Sequence, residues 1–169
     1  MNEQEEFASR TDPVEEDMEQ QRRAWRFERI GLAVLVVLIA LTLGGLFSKG
    51  PLSHMQLQSP DGRLQIEYER FSRNGAQDDV IVSSSGAPGE MRYLVLSREW
   101  LEGMSIESLN PQPANLTSEA RDLVIPMQAD AQGVATLYLS MRSNGVGLYR
   151  GHIQLRNGPR LDTPKFIYP

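Results

Sequence analysis

Residues 133–142 read GVATLYLSMR, and from Ala135 onward apolar side chains alternate with more polar ones. The apolar set consists of Ala135, Leu137, Leu139 and Met141. Successive side chains of a β-strand point to opposite faces of its sheet, whereas a helix repeats its apolar positions every three or four residues. This period of two therefore predicts a strand with one buried face and one exposed face.

Similar strands are predicted on both sides of this segment. Residues 149–155 and 165–168 follow it, so the chain ends in three successive antiparallel candidates. Further candidates lie at residues 55–58, 64–68, 80–82, 93–96 and 123–125. Short strands separated by Gly, Pro, Asn and Ser clusters predict an all-β sandwich or barrel. The irregular residues 99–119 predict a long crossover between sheets, with a ligand-binding loop as the alternative.

Residues 147–153 read GLYRGHI, which resembles the penultimate strand, G-x-Y-x-C-x-V, of immunoglobulin-like modules. The resemblance covers roughly residues 120–169 and implies an immunoglobulin-like β-sandwich with Tyr149 at the tyrosine-corner position. Gly151 stands at the place of that superfamily's second cysteine, and both disulfide cysteines are missing, as in many bacterial sandwiches of this kind. Trp100 has no clear counterpart in the pattern. The resemblance implies a fold and no activity.

A second segment, residues 30–47, reads IGLAVLVVLIALTLGGLF and carries no charge. Its 18 residues would make a helix of about 27 Å, close to the roughly 30 Å hydrocarbon core of a bilayer. We therefore predict a single transmembrane α-helix in front of the β-sandwich. The preceding 29 residues and the length of the apolar run favour an uncleaved signal anchor over a cleaved signal peptide.

Basic and aromatic residues flank the N-terminal side of the apolar segment. They are Arg22, Arg23, Trp25, Arg26, Phe27 and Arg29. Lys49 is the only basic residue close to the other end, and Lys and Arg accumulate on the cytoplasmic side of spanning helices. This asymmetry predicts a cytoplasmic N terminus and places residues 48–169 outside, with the aromatic residues as membrane-interface anchors. The N-terminal segment is either a cytoplasmic docking helix or a solvated tail continuous with the membrane helix.

These features divide the chain into a cytoplasmic segment (1–29), a transmembrane helix (30–47), a tether (48–53) and a periplasmic β-sandwich domain (54–169). The tether spans at most about 20 Å when fully extended, so the domain is expected to work close to the membrane. Ala40, Gly44 and Gly45 form a narrow patch on the predicted helix. Such a patch would let a helix of another integral membrane protein approach closely.

Composition restricts the classes of partner and the compartment. Residues 48–169 carry twelve basic and thirteen acidic residues, so no basic surface for nucleic acid is expected. The chain has no cysteine, which excludes disulfides and thiolate chemistry. Arg outnumbers Lys fifteen to two. We interpret this excess as a sign of a GC-rich bacterial genome, and we therefore expect the bacterial inner membrane and the periplasm.

The two histidines are the obvious candidates for a base or a metal ligand. His54 ends the tether, and His152 shares a polar strand face with its neighbours. No metal-ligand spacing, nucleophile motif or phosphate-binding glycine loop accompanies them. Adjacent Asp78 and Asp79 are interpreted as solvated residues at a strand entrance. We predict no catalytic activity, no metal and no cofactor, and an enzyme using His152 is one alternative.

The sequence thus predicts a non-catalytic accessory, assembly or regulatory subunit of a larger membrane protein complex. Its expected partners are the lipid bilayer and another integral membrane protein. A small-molecule ligand is not expected. The alternative function is a membrane-tethered periplasmic module that binds or senses a small ligand through residues 99–119. A pocket lined by Trp100 and convergent polar groups would favour this alternative, and a filled sandwich without a pocket would exclude it.

Overall fold

The computed structural model describes residues 18–44 and 50–169 of the chain. The chain divides into two units, with a boundary between Ala40 and Leu41. The described part of the first unit is helical, and that of the second is mainly β-structure.

Helix α1, Met18–Leu43, joins the basic and the apolar parts of the N-terminal sequence in one continuous element of 26 residues. It contains no proline, and Gly31 is its one glycine. Leu, Ala, Arg, Gln and Glu, which have high helix propensity, supply most of its other positions. Within this helix, residues 18–29 continue directly into the apolar segment.

The second unit has eleven strands and one short helix between Gly50 and Pro169. In chain order they are β1 His54–Gln58, β2 Leu64–Glu69, β3 Phe71–Arg73, β4 Gln77–Ser85, β5 Met91–Leu96, α2 Arg98–Leu101, β6 Met104–Asn110, β7 Thr117–Glu119, β8 Asp122–Gln128, β9 Val134–Ser143, β10 Gly147–Leu155 and β11 Arg160–Tyr168. Each strand predicted from the sequence overlaps one of these strands.

The strands form a sandwich of two sheets. The first has the order β1-β2-β4-β9-β6, and the second has the order β3-β11-β10-β5-β8-β7. Neighbouring strands are antiparallel except β3 and β11, which run parallel. This architecture confirms the all-β prediction for residues 54–169 and is compatible with an immunoglobulin-like fold.

The core lies between the two sheets and follows the predicted alternation. In β9 the four predicted inward side chains are each 1% exposed: Ala135, Leu137, Leu139 and Met141. The second sheet contributes fully buried side chains to the same cluster, among them Leu94, Leu96, Ile125, Ile153 and Ile167. Removal of this apolar surface from water is the main favourable term in folding.

The order of the C-terminal strands differs from the three successive antiparallel strands that the sequence predicts. β10 and β11 form an antiparallel hairpin. β9 instead lies in the first sheet between β4 and β6, so the chain crosses between sheets after Ser143. Alternation predicts which face of a strand is buried, but it does not specify the neighbouring strand.

Residues 99–119 are more regular than predicted. They contain β6 and β7, which lie at the edges of different sheets, so the predicted crossover is present but is limited to residues 111–116. The register of β6 against β9 shifts between Ile106 and Ser108. Such a bulge interrupts the period of two, which explains why β6 does not stand out in the sequence.

Candidate functional site

The predicted membrane-interface residues lie exposed on one stretch of α1. They are Arg22, Arg23, Trp25, Arg26, Phe27 and Arg29. Trp25 and Arg29 are four residues apart, and the Cζ atom of Arg29 lies 3.6 Å from the centroid of the Trp25 ring. This is the geometry of a cation–π contact. The helix therefore presents a cationic and aromatic surface directly before its apolar segment.

The apolar segment exposes side chains around the whole helix. From Val34 to Ile39, six consecutive side chains are between 46% and 57% exposed. Six residues cover more than one and a half helical turns, so the exposure is not confined to one face. A helix that is apolar on all sides is typical of a protein core or a membrane span. This surface is therefore the clearest candidate for contact with something other than water.

The structure does not confirm the predicted transmembrane helix. Within residues 18–44 and 50–169, no helix combines the length and the apolar character that a membrane crossing needs. Residues 45–47, the end of the predicted span, lie outside the described residues.

The three small residues of the predicted helix-packing patch lie near the end of α1. Ala40 is exposed on the helix, and Gly44 follows the last helical residue in a turn, where it is partly exposed. Gly45 lies outside the described residues. Their role in packing against another helix therefore stays a prediction.

The two histidines lie on different sheets. Nδ1 of His54 is 3.4 Å from Oε1 of Glu69, its neighbour across β1 and β2. The backbone N–H of His152, on β10, donates a hydrogen bond of 2.9 Å to Oγ of Ser97. Across the described part of the chain, no group of three or more His, Asp or Glu side chains is arranged to hold a metal ion.

Clefts border the 111–116 loop at the edge formed by β6. One of about 430 Å³ is lined by apolar side chains that include Ile106, Leu109 and Leu116. A neighbouring cleft of about 240 Å³ lies beside Pro111. Trp100 has no exposed surface and lines neither cleft. Trp100 therefore does not supply the observation at these clefts that would favour a ligand-binding loop.

A buried ion pair joins the two sheets. Nζ of Lys165, on β11, lies 3.0 Å from Oδ2 of Asp78, on β4, and the two residues are only 1% and 4% exposed. Nζ also donates to the backbone oxygen of Glu69 at 2.9 Å. The hydroxyls of Ser72 and Ser143 donate to the same Oδ2 atom. Both charges therefore have several polar partners inside an otherwise apolar core.

The position of Asp78 corrects the sequence-based interpretation. Asp79 is exposed as expected, but Asp78 is buried and ion-paired. The sequence did contain a signal for the partner of Asp78, because Lys165 lies on the same face of β11 as the buried residues Thr163 and Ile167. A lysine at an inward-facing strand position requires a compensating partner in the core.

Burial lowers the pKa of Lys165 below its ordinary 10.5, whereas the charge of Asp78, its hydrogen bond and the charge of Glu69 act in the opposite direction. The unfolded chain therefore binds the Lys165 proton more tightly than the folded chain. This difference in proton binding destabilises the folded state at neutral pH. The destabilisation is relieved as the pH rises through the lowered pKa toward 10.5. The ion pair thus does not compensate fully for desolvation of the ammonium group.

Tyr68 supplies a pH-dependent prediction of opposite sign. It is 1% exposed, its hydroxyl donates to the backbone oxygen of Pro164 at 3.1 Å, and burial raises its pKa from 10.0 to about 12. The resulting stability is present below pH 10 and is lost as the pH approaches 12, by at most about 3 kcal/mol. Tyr68→Phe should therefore lose less unfolding free energy over this interval, as measured by urea denaturation in mild detergent. Equal losses in both proteins would contradict the prediction.

The fold and these features define the class of protein only as a β-sandwich preceded by a helix. Comparison of the chain with protein-family models and with curated proteins gives no match. Its function is therefore inferred from its own residues.

Proposed function

We propose that the protein is a single-pass membrane protein whose immunoglobulin-like β-sandwich acts as an accessory, assembly or regulatory subunit of a larger membrane protein complex. The exposed apolar surface of α1 carries this proposal. Transfer of apolar surface out of water is favourable by about 25 cal/mol per Å². A bilayer, together with a partner helix, would remove this surface from water.

The continuation of the sequence supports a membrane crossing. α1 ends at Leu43, but the uncharged run extends to Phe47 and comprises 18 residues in all. A helix of that length measures about 27 Å. The basic residues before the run favour a cytoplasmic N terminus. In a bacterial inner membrane, the β-sandwich would then lie in the periplasm.

The tether and the small residues support the accessory role. Only residues 48–53 separate the predicted span from the β-sandwich, so the sandwich would stay near the membrane surface. Ala40, Gly44 and Gly45 would allow a second transmembrane helix to pack closely. The partner is therefore proposed to be another integral membrane protein.

Crosslinking in intact membranes tests this function. The full-length chain should stay in the membrane pellet after alkaline carbonate extraction, and a crosslinker should attach it to another integral membrane protein. Release of the chain by carbonate would overturn the anchor. Retention of the chain as a free monomer, also after purification in gentle detergent, would overturn the accessory role alone.

The helix-packing patch gives a sharper prediction. Gly44→Leu combined with Gly45→Leu should reduce recovery of the partner complex about tenfold, as a loss of about 1.4 kcal/mol of helix packing would do. Recovery is measured by quantitative co-purification. Gly31→Leu is the matched control, because a Cβ atom at Gly31 meets nothing within 4 Å. If recovery is unchanged by the double substitution, the helix is only a tether.

The clefts beside the 111–116 loop favour a second candidate, a membrane-tethered module that binds a small ligand. The larger cleft, of about 430 Å³, falls within the size range of ligand sites. A compound that raises the unfolding temperature of the full-length chain should lose this effect in Leu116→Asp. A ligand effect that survives the substitution would place the site elsewhere.

A further inference from the structure

A row of apolar side chains crosses the outer face of the second sheet. Phe71 of β3 pairs with Phe166 of β11, which pairs with Leu148 of β10. The ring centroid of Tyr168 lies 6.1 Å from that of Phe71 and 4.9 Å from that of Phe166. Leu148 is 51% exposed. Three strands therefore build one continuous aromatic and aliphatic surface that faces away from the core.

Three arginines lie on or beside this row, and they differ from most arginines of the unit. Six arginines of residues 50–169 form ion pairs with carboxylates: Arg63, Arg92, Arg98, Arg142, Arg156 and Arg160. Among the described residues, no carboxylate pairs with Arg70, Arg73 or Arg150, and all three are exposed. The Cζ atom of Arg70 lies 6.0 Å from the Phe71 ring centroid. Together with Phe71, Phe166 and Tyr168, these arginines define a basic-aromatic patch.

Nearby acidic groups do not neutralise the patch. On the outer face of β11, Asp162 already pairs with Arg160 at 3.2 Å. Glu69, which precedes Arg70, lies 3.4 Å from His54 on the first sheet. The patch therefore retains positive charge beside its aromatic rings.

The patch lies where the chain enters the β-sandwich. Ser53 is fully buried, and its backbone oxygen accepts a hydrogen bond of 2.7 Å from the N–H of Arg70. Its hydroxyl accepts from the N–H of Phe71 at 3.2 Å and donates to the backbone oxygen of Phe71 at 3.1 Å. Residue 53 is separated from Phe47 by a segment of at most about 20 Å. The patch would consequently remain close to a membrane that the apolar segment occupies.

We propose that the basic-aromatic patch binds the anionic phospholipid headgroups of the bilayer in which the protein is anchored. This inference rests on the membrane anchor of the proposed function. Guanidinium groups bind phosphate oxygens in bidentate geometry, and aromatic rings favour the interface between headgroups and hydrocarbon. Attraction of arginine to an anionic leaflet acts only within about a Debye length, a range that the short tether favours.

Site-specific labels on the full-length chain test the proposal. Because the chain has no cysteine, Leu148→Cys and Tyr138→Cys each provide one labelling site. Residues 148 and 138 are both 51% exposed, on the outer faces of the second and the first sheet respectively. Each labelled protein is reconstituted into vesicles of phosphatidylcholine, with or without phosphatidylglycerol. Fluorescence quenching by headgroup-bound nitroxide lipids is then measured.

Phosphatidylglycerol should increase quenching at residue 148 several-fold and leave residue 138 unchanged. Arg70→Gln, Arg73→Gln and Arg150→Gln should each weaken docking about fivefold. Arg121→Gln is the matched control, because Arg121 is also without an ion pair among the described residues but lies in the turn between β7 and β8. Circular dichroism checks that the variants fold.

Four results would overturn the proposal. Equal quenching at residues 148 and 138 would show that the outer face of the second sheet does not dock preferentially on the membrane. If quenching at residue 148 depends neither on phosphatidylglycerol nor on the three arginines, the patch does not bind anionic headgroups. A protein crosslink at residue 148 without quenching would assign the patch to a protein partner. Failure of the full-length chain to float with vesicles would overturn the membrane anchor as well, and flotation is scored separately from quenching.

Discussion

Lys165→Met is expected to destabilise the β-sandwich by about 3–5 kcal/mol, because it leaves the Asp78 carboxylate buried without its counter-ion. Asp78 would keep two hydroxyl donors, Ser72 and Ser143, but no positive charge. Two neutral hydroxyls stabilise a buried carboxylate less than they do together with the ammonium group of Lys165. Urea denaturation of the full-length chain in mild detergent, followed by near-ultraviolet circular dichroism, measures the loss.

Two further variants separate the ion pair from general damage to the core. Asp78→Asn combined with Lys165→Met removes both charges and keeps an oxygen acceptor for the serine hydroxyls. We expect the double variant to be more stable than Lys165→Met alone, because replacement of a whole buried pair is often nearly neutral. Arg160→Met, which breaks the exposed pair with Asp162, should cost less than about 1 kcal/mol. Additive losses in the double variant would contradict the coupling.

The part of the fold that the sequence predicts depends on local alternation. The period of two identifies the buried face of β9 because alternate side chains of a strand point to the same face of its sheet. Leu137 and Leu139 therefore both face the core. It cannot identify β4 and β6 as neighbours of β9, because strand pairing depends on residues far away in the sequence. The bulge makes β6 hard to recognise in the sequence, because one extra residue reverses the alternation of inward-facing and outward-facing side chains.

The candidate sites show the same division between local and long-range information. Trp25, Arg29 and the apolar segment are consecutive along the chain, so α1 keeps them together. The ion pair and the basic-aromatic patch instead combine residues from strands that are far apart in the sequence. No local sequence motif predicts either arrangement. The phase of Lys165 predicts its burial, but Asp78 becomes its partner only through the order of the two sheets.

Gly151→Ala is expected to destabilise the β-sandwich by about 3 kcal/mol through a steric clash at the contact between β10 and α2. A Cβ atom at residue 151 would lie 2.4 Å from Cβ of Trp100, 2.7 Å from the backbone nitrogen of Trp100 and 2.7 Å from Oγ of Ser97. Trp100 and Ser97 are fully buried, and two of these atoms belong to or adjoin the backbone of α2. A side-chain rotation therefore cannot relieve the overlap.

The test combines urea denaturation with the near-ultraviolet signal of the full-length chain in mild detergent. We expect a lower unfolding midpoint and a changed Trp100 signal, because α2 must move away from β10 and the hydrogen bond between the His152 N–H and Ser97 Oγ must lengthen. Leu148→Ala is the control on the same strand, since its side chain is 51% exposed and its loss should cost less than about 0.5 kcal/mol. Wild-type stability of Gly151→Ala would mean that α2 is not packed against this strand.

This prediction also gives a physical reason for the glycine in the GLYRGHI segment. The resemblance to immunoglobulin-like modules puts a cysteine at residue 151, where a disulfide would fill the space between the sheets. In this chain Trp100, carried by α2, occupies the space directly over Gly151. Cysteine at residue 151 would bring the same Cβ atom into the same clash as alanine. Gly151→Cys should therefore be at least as destabilising as Gly151→Ala.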